Sequence, residues 1–285
     1  MAPDTPSPRA LSGRAGHLVV IGGNEDREHD KLVLRRFVEL TGQPDPRLLL
    51  LTAAGAGDQG LAELYRRAFA ELGAIRCTGL ELASREQAND PANADRLLNA
   101  DGIFITGSDQ KRLLAVIGGT AVHHALHQAF EQMGRCIAGT SAAASALSQH
   151  MLQDGGADNG SLAAGLGLLQ RAVIDQHFSE RQRLGRLLQV VAHNPTLIGV
   201  GIDEDTALVI APAGGVEAVG DGAVTLLDGR QMSSSFLPGR QRDALELIDV
   251  KLHLLPAGAR YAPGAAPPVL QSIATLLTRS GSALS

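Results

Sequence analysis

Short apolar runs alternate with longer amphipathic stretches up to the middle of the chain. His17 to Ile21 predicts a strand that stops at Gly22-Gly23, and the stretch behind it a helix reaching about Gly42. Arg47 to Thr52 predicts a second strand, followed by the small-residue loop Ala53 to Gly57 and a helix to about Leu72. Ile75 to Leu82, Gly102 to Thr106 and Arg135 to Ala138 predict three more strands, the last two ending at Gly107 and Gly139. Strands that alternate with helices build a parallel sheet covered on both faces. Such sheets collect their ligands at the carboxyl ends of the strands.

Beyond about Leu197 the rhythm changes. Leu197 to Val200, Ala207 to Ala211, Gly215 to Val219 and Ala223 to Leu227 are short runs separated by Gly and Asp. They predict a meander or hairpins, with Gly220-Asp221-Gly222 as a turn. Leu245 to Leu255 predicts one more strand, and Val269 to Leu277 a helix in the Ala-, Pro- and Ser-rich tail. The expected architecture is α/β, a three-layer αβα arrangement around a mostly parallel sheet with antiparallel additions toward the C-terminus. A flexible segment, residues 1–15, is expected to precede one domain over residues 16–285.

The chain has 285 residues, 44% apolar and 19% charged, enough for one large core. No stretch approaches the roughly 18 consecutive apolar residues of a membrane span. The first residues, MAPDTPSPRALSGRAG, lack the apolar centre of a secretory signal. Cys77 and Cys136 alone can build neither a disulfide framework nor a cysteine-based zinc site. These features favour a reduced, cytoplasmic protein. A net charge of −5, no Trp and 3% aromatic residues argue against a nucleic-acid partner. The bases are nearly all Arg, with lysine only at Lys31, Lys111 and Lys251. That choice suits carboxylate or phosphate recognition, or reflects the base composition of the genome.

Arg135-Cys-Ile-Ala-Gly-Thr-Ser-Ala-Ala-Ala-Ser145 sends a strand into a tight turn and leaves it as an Ala-rich helix, with Ser141 at the corner. This is either a nucleophile elbow, whose corner residue is strained and whose neighbours are small, or a serine capping a buried helix. The helix N-terminus beyond Ser141 offers free N–H groups to a developing oxyanion. In Asp175-Gln-His-Phe-Ser-Glu-Arg-Gln-Arg183, one histidine stands among charges at the end of an apolar run. It is a base or part of a solvated helix start. His123, His124 and His127 lie on a predicted helix without the carboxylate of a metal motif, and are expected on the surface. Gly199-Val-Gly-Ile-Asp-Glu-Asp-Thr206 holds three carboxylates between apolar runs, and Gly107-Ser-Asp-Gln110 ends the fourth strand. Alone, the first of these reads as a polar turn. Together they supply a nucleophile, a base and an acid in the chain order Ser, His, acid. That order differs from the α/β-hydrolases and from the two classical serine-protease scaffolds.

These residues carry a resemblance. From about Gly16 to Tyr261 the sequence resembles the cyanophycinase family, relatives of aspartyl dipeptidase (peptidase E) with a fold like that of class I glutamine amidotransferases. Its marks are Gly22-Gly23-Asn24-Glu25, Thr106-Gly107-Ser108-Asp109-Gln110, Gly139-Thr140-Ser141-Ala142, Asp175-Gln176-His177-Phe178-Ser179 and Gly201-Ile202-Asp203-Glu204-Asp205-Thr206. The Asp-Gln-His-Phe stretch with Arg181, Arg183 and Arg186 favours cyanophycinase over the dipeptidase branch.

The resemblance implies Ser141 as nucleophile, His177 as general base and Glu204 as the carboxylate orienting it. It implies an oxyanion hole from the backbone N–H groups of Ser108 and Ala142, and substrate binding by Gln110, Asp175, Arg181 and Arg183. The implied substrate is cyanophycin, an aspartate backbone with arginine on each β-carboxyl, cleaved to β-Asp-Arg dipeptides by a homodimer. No metal and no cofactor is implied. Each substrate unit presents a guanidinium and a carboxylate, which Asp175 and the arginines would match. The family usually has Gly where Ser108 and Ala143 stand, and a side chain there would tilt an N–H donor or resist a φ above zero. The alternatives are a peptidase-E-like hydrolase of acidic or isoaspartyl dipeptides, and a catalytically inactive cyanophycin-binding homologue.

Overall fold

The computed structural model describes residues 15–53, 60–153, 161–212, 214–235 and 245–261. In chain order the first half runs β1 (Leu18–Ile21), α1 (Leu32–Leu40), β2 (Arg47–Ala53), α2 (Leu61–Glu71), β3 (Arg76–Leu82), α3 (Arg85–Asn89), α4 (Pro91–Leu98) and β4 (Gly102–Thr106). It continues through α5 (Gln110–Ile117), α6 (Ala121–His127), a π-helical turn (Gln128–Gln132), β5 (Cys136–Thr140) and α7 (Ala142–Leu147). The second half holds β6 (His150–Leu152), β7 (Leu162–Ala164), β8 (Ala172–Gln176), α8 (Leu184–His193), β9 (Ile198–Ile202), β10 (Thr206–Ile210) and β11 (Val216–Gly220). It ends with β12 (Ala223–Asp228), β13 (Ser233–Ser234), β14 (Leu247–Ile248), β15 (Lys251–Pro256) and β16 (Arg260–Tyr261).

An eight-stranded sheet in the order β16-β11-β10-β1-β5-β4-β2-β3 forms the centre. From β1 to β3 the pairings are parallel; from β1 to β16 they are antiparallel. The inner parallel strands β1, β2, β4 and β5 read as largely apolar runs because both of their faces are covered, whereas the edge strand β3 carries Arg76, Thr78 and Glu81 and is mostly exposed. Leu49, Leu51, Ile103, Ile105 and Ile137 pack on one side with residues of α3 to α7. Leu48, Leu50, Phe104, Cys136 and Ala138 pack on the other with α1 and α2. This is the α/β fold expected from the sequence, with a large, mostly parallel sheet between helical layers.

The antiparallel additions divide between two sheets. β10, β11 and β16 extend the central sheet, while β8, β9, β12 and β15 form a second, four-stranded one. There β8 and β9 run parallel, with Gln176 opposite Ile202, and β12 and β15 add antiparallel edges. The run predicted as one strand from Leu245 to Leu255 is broken at Asp249, whose φ of 63° turns the chain between β14 and β15. The helix expected directly after Gly22-Gly23 starts only at Leu32. Asp26 delays it: its carboxylate accepts the N–H groups of Glu28, His29 and Lys31 and folds residues 26–31 into a turn. Most of the expected N-terminal segment, most of the loop after Ala53 and the helix at 269–277 lie outside the described residues. Among the described residues no helix is long and apolar enough to cross a membrane.

Few aromatic residues occur, and four of them meet. Phe37 of α1, Tyr65 and Phe69 of α2 and Phe104 of β4 form one cluster, with Phe104 in contact with the other three at centroid distances of 4.9–5.4 Å. Truncating a buried Phe costs about 3–5 kcal/mol through lost transfer energy and the cavity left behind. Phe104→Ala is therefore expected to lose that much in urea denaturation; an unchanged midpoint would show that the cluster contributes nothing.

Candidate active site

The site lies where the two sheets meet, at the carboxyl ends of β1, β5, β8 and β9. Ser141 follows β5 with φ 54° and ψ −121°, a corner that a β-strand cannot turn with an ordinary backbone. Although it begins α7, its side chain makes no cap hydrogen bond. Its Oγ instead lies 3.0 Å from His177 Nε2. The small neighbours are needed for packing: a Cβ on Gly139 would meet Leu147 Cδ1 at 2.8 Å, and Ala142, Ala143 and Ala144 are buried.

His177 stands just past β8 with φ 49°. Its Nδ1 is 2.5 Å from Glu204 Oε1, beyond the end of β9. Because β8 and β9 are parallel neighbours in register, the residues just past their ends are adjacent in space. Phe178 closes this pair from below. Its N–H donates to the Ile202 carbonyl at 3.1 Å, and its ring lies where a Cβ on Gly201 would come within 2.6 Å. Gly23, with φ +100°, passes so close to the imidazole that a Cβ there would meet His177 Cε1 at 2.5 Å.

Glu204 Oε2 accepts a hydrogen bond from Asn24 Nδ2 at 3.0 Å, and the Glu204 N–H donates to Glu180 Oε1 at 3.2 Å. Burial alone would raise the Glu204 carboxyl. The hydrogen bonds from His177 and Asn24 and the charges of His177 and Arg181 outweigh it and hold the group below its ordinary range. A hydroxyl, an imidazole and a carboxylate in series can deprotonate the hydroxyl, hold the resulting imidazolium and return the proton.

Asp175 is 1% exposed. Both oxygens of the carboxylate expected to receive a guanidinium are taken up within the protein. Arg183 Nη1 donates to Oδ1 at 3.0 Å, Arg186 Nε to Oδ2 at 2.9 Å, and Arg186 Nη2 also to Oδ1. Burial pulls the Arg183 guanidinium down against the attraction of Asp175, with Arg186 and Arg181 adding repulsion. Arg181 itself is exposed and makes no ion pair among the described residues. Gln110 is buried at the start of α5, its amide donating to the Leu152 carbonyl at 3.3 Å, and no hydrogen bond joins it to Ser141, His177 or Glu204. Ser108 is exposed at the end of β4. Neither Ser108 nor Ala143 has a positive φ, so the side chains at these two positions carry no backbone strain.

Asn24, Glu180 and Asp203 were given no role by sequence reasoning. Asp203 ties the loop after β8 to β12, accepting the N–H groups of Ser179 and Ala223 at 3.1 and 3.0 Å. The paired glycines before Asn24, at the end of a central strand, were the available signal. His123 and His127 are half-buried, and Nε2 of both meets the Leu166 carbonyl, at 2.8 and 2.7 Å. They fasten α6 to the chain after β7. Among the described residues no group of three or more His, Cys, Asp or Glu side chains is arranged to hold a metal ion.

Fold and site together carry the parts of a serine-type hydrolase on an α/β sheet. The model of peptidase family S51 matches residues 18–215. The cyanophycinase of Trichormus variabilis is 34% identical over 251 residues, covering 86% of this chain and 84% of the relative. That of Geminocystis herdmanii is 32% identical over 251 residues, covering 86% and 92%. A crystal structure of a peptidase from an acI-B1 Actinobacterium superposes with a TM-score of 0.67 at 22% identity, over 88% of this chain and 98% of the other, a likeness of fold. The chain belongs to peptidase family S51. It is a serine-type peptidase.

Two expectations follow from the geometry. Removing one partner of a buried ion pair leaves the other charge uncompensated, at a cost of about 3–5 kcal/mol. Asp175→Ala should lose that much stability in urea; a loss below about 1 kcal/mol, typical of exposed pairs, would mean that Arg183 and Arg186 find water instead. The second concerns acid. A carboxylate depressed in the folded state stabilises the protein above its ordinary value, and the contribution fades as pH falls from about 4.3 through the lower folded value. Stability relative to Glu204→Gln is therefore expected to decline over that window, read as converging urea midpoints. A difference that stays flat or widens would contradict the depressed titration of Glu204.

Proposed function

We propose that the protein is a cyanophycinase-type peptidase that cuts the aspartate backbone of cyanophycin and releases β-Asp-Arg dipeptides. The observation that carries the reading is the hydrogen-bonded series Ser141, His177, Glu204. The names of the relatives supply the substrate class.

His177 Nε2 takes the Ser141 proton as Oγ attacks the scissile carbonyl, and Glu204 holds the imidazolium that forms. Negative charge on the carbonyl oxygen is met by the N–H groups of Ala142, at the start of α7, and Ser108, at the end of β4. His177 then gives its proton to the leaving amine, and water repeats the sequence to hydrolyse the ester on Ser141. The strained corner presents Oγ to the base without a rotamer search.

Arginine carboxylates along the polymer meet Arg181, which is exposed and unpaired among the described residues, and Arg183. Asp175 contributes by holding Arg183 in place, with Arg186 as the second clamp.

The test is incubation with purified insoluble cyanophycin and mass analysis of what dissolves. β-Asp-Arg is the expected product. Ser141→Ala should lower hydrolysis by roughly 10⁶-fold while still sedimenting with the polymer. Cleavage of isoaspartyl dipeptides without attack on the polymer would replace the substrate. Binding with no release by the wild-type protein would leave an inactive homologue.

A further inference from the structure

The end of β1 and the turn after it, Ile21 to Glu25, bond to every member of the proposed triad, to Ser141 and His177 through the backbone and to Glu204 through a side chain. The Ser141 N–H donates to the Ile21 carbonyl at 3.1 Å, the His177 N–H to the Gly22 carbonyl at 2.9 Å, and the Asp205 N–H to the Gly23 carbonyl at 2.9 Å. The next two residues continue the series with side chains. Asn24 donates to Glu204 Oε2. Glu25, 1% exposed, accepts the Thr140 hydroxyl at 2.7 Å and the Tyr65 hydroxyl, which in turn accepts from Arg27 Nη1 at 3.3 Å.

We propose that Asn24 and Glu25 are positioning residues that hold the two ends of the catalytic series, Asn24 the acid and Glu25 the nucleophile corner. This rests on reading Ser141, His177 and Glu204 as nucleophile, base and acid.

Glu204 projects from a loop and keeps 29% of its side chain exposed, so no core packing fixes its rotation. Its Oε1 serves His177 only while Oε2 is anchored, and Asn24 is that anchor. Asn24 reaches it from a left-handed backbone, φ 48°, which Asn tolerates better than most residues. Glu25 is a carboxylate buried where an apolar side chain would cost less. Its two hydroxyl donors compensate the burial. One of them, Thr140, is the residue before Ser141, whose backbone is strained. A fixed Thr140 limits the ways that strain can relax.

Asn24→Gly keeps the left-handed backbone and removes the amide. A hydrogen bond to a charged group lost at this point is expected to lower kcat about 10- to 100-fold, with KM within about twofold of wild type. The acid limb of kcat should also move to higher pH, because Glu204 loses a donor that favours its ionised form. The other groups facing Glu204 are His177, Arg181 and Glu180, with Asp203 and Asp205 on either side in sequence. They are unchanged in the variant. Asn24→Asp tolerates the same backbone, sets a like charge against Glu204 and should be slower still, so it reads the same role if the Gly variant fails to fold. Thr140→Val keeps the shape and removes only the bond to Glu25. It should label Ser141 with a fluorophosphonate about 3- to 10-fold more slowly and lower kcat in proportion. Glu25→Gln, which still pairs with both hydroxyls, should retain most of the activity.

Wild-type kcat and an unmoved acid limb in Asn24→Gly would overturn the role of Asn24. Wild-type labelling in Thr140→Val would overturn that of Glu25. Ser141→Ala separates these failures from failure of the triad reading: it is inactive if only the positioning role is wrong, and active if the triad itself is.

Discussion

The carbonyls of Ile21, Gly22 and Gly23, three in succession at the end of β1, accept the N–H groups of Ser141, His177 and Asp205. Those three donors have φ values of 54°, 49° and 43°. Each such backbone costs on the order of 1–3 kcal/mol and persists only where its surroundings over-determine it. Here one strand end does so for three of them. β1 itself is held on both sides, by β5 in parallel and β10 in antiparallel register. The strain of the site is therefore referred to one of the most firmly bonded strands of the sheet, and each strained residue is fastened at its own peptide group.

Much of this was legible from residue order. Apolar runs ending at a glycine marked three of the parallel strands, β1, β4 and β5. Ser141 and His177 could be singled out because each stands just past an apolar run, and carboxyl ends of strands gather ligands; among the three carboxylates at 203–205, Glu204 was marked only by the family resemblance. What the sequence hides is partnership. Nothing in the order Asp175, Arg183, Arg186 says that the arginines fold back on the acid, because that depends on where the turn after His177 delivers α8. Division of the late strands into two sheets was equally hidden, since a short apolar run is the same in either sheet. The turn at residues 26–31 escaped for a local reason: an amphipathic run looks helical until one aspartate takes three peptide donors.

The Asp175 cluster shows a different use of charge. Burying a carboxylate with two guanidiniums is seldom the most stable way to fill a core, and hydrophobic replacements are often at least as stable. Its value here is geometric. Arg183 also donates to the Gln176 carbonyl at 2.6 Å, immediately before His177, and its own N–H to the Phe178 carbonyl at 3.0 Å. The cluster stiffens the turn carrying the imidazole, while Arg181, on the same turn, keeps its charge facing solvent.

Ser141 and His177, the proposed nucleophile and base, belong to different sheets. Ser141 rides on β5 of the central sheet, and His177 and Glu204 ride together on β8 and β9 of the second. Imidazole and carboxylate thus travel as one body, and a slip of one sheet against the other strains the 3.0 Å bond between Ser141 and His177 together with the bonds from His177 and Asp205 to the Gly22 and Gly23 carbonyls. The Ser145 hydroxyl, donating from α7 to the Ile174 carbonyl of β8 at 3.2 Å, adds a further polar tie that resists such a slip. A slip large enough to part Ser141 from His177 would also have to break the bonds to Gly22 and Gly23, so the seam between the sheets and the Ser141–His177 pair stand or fall together.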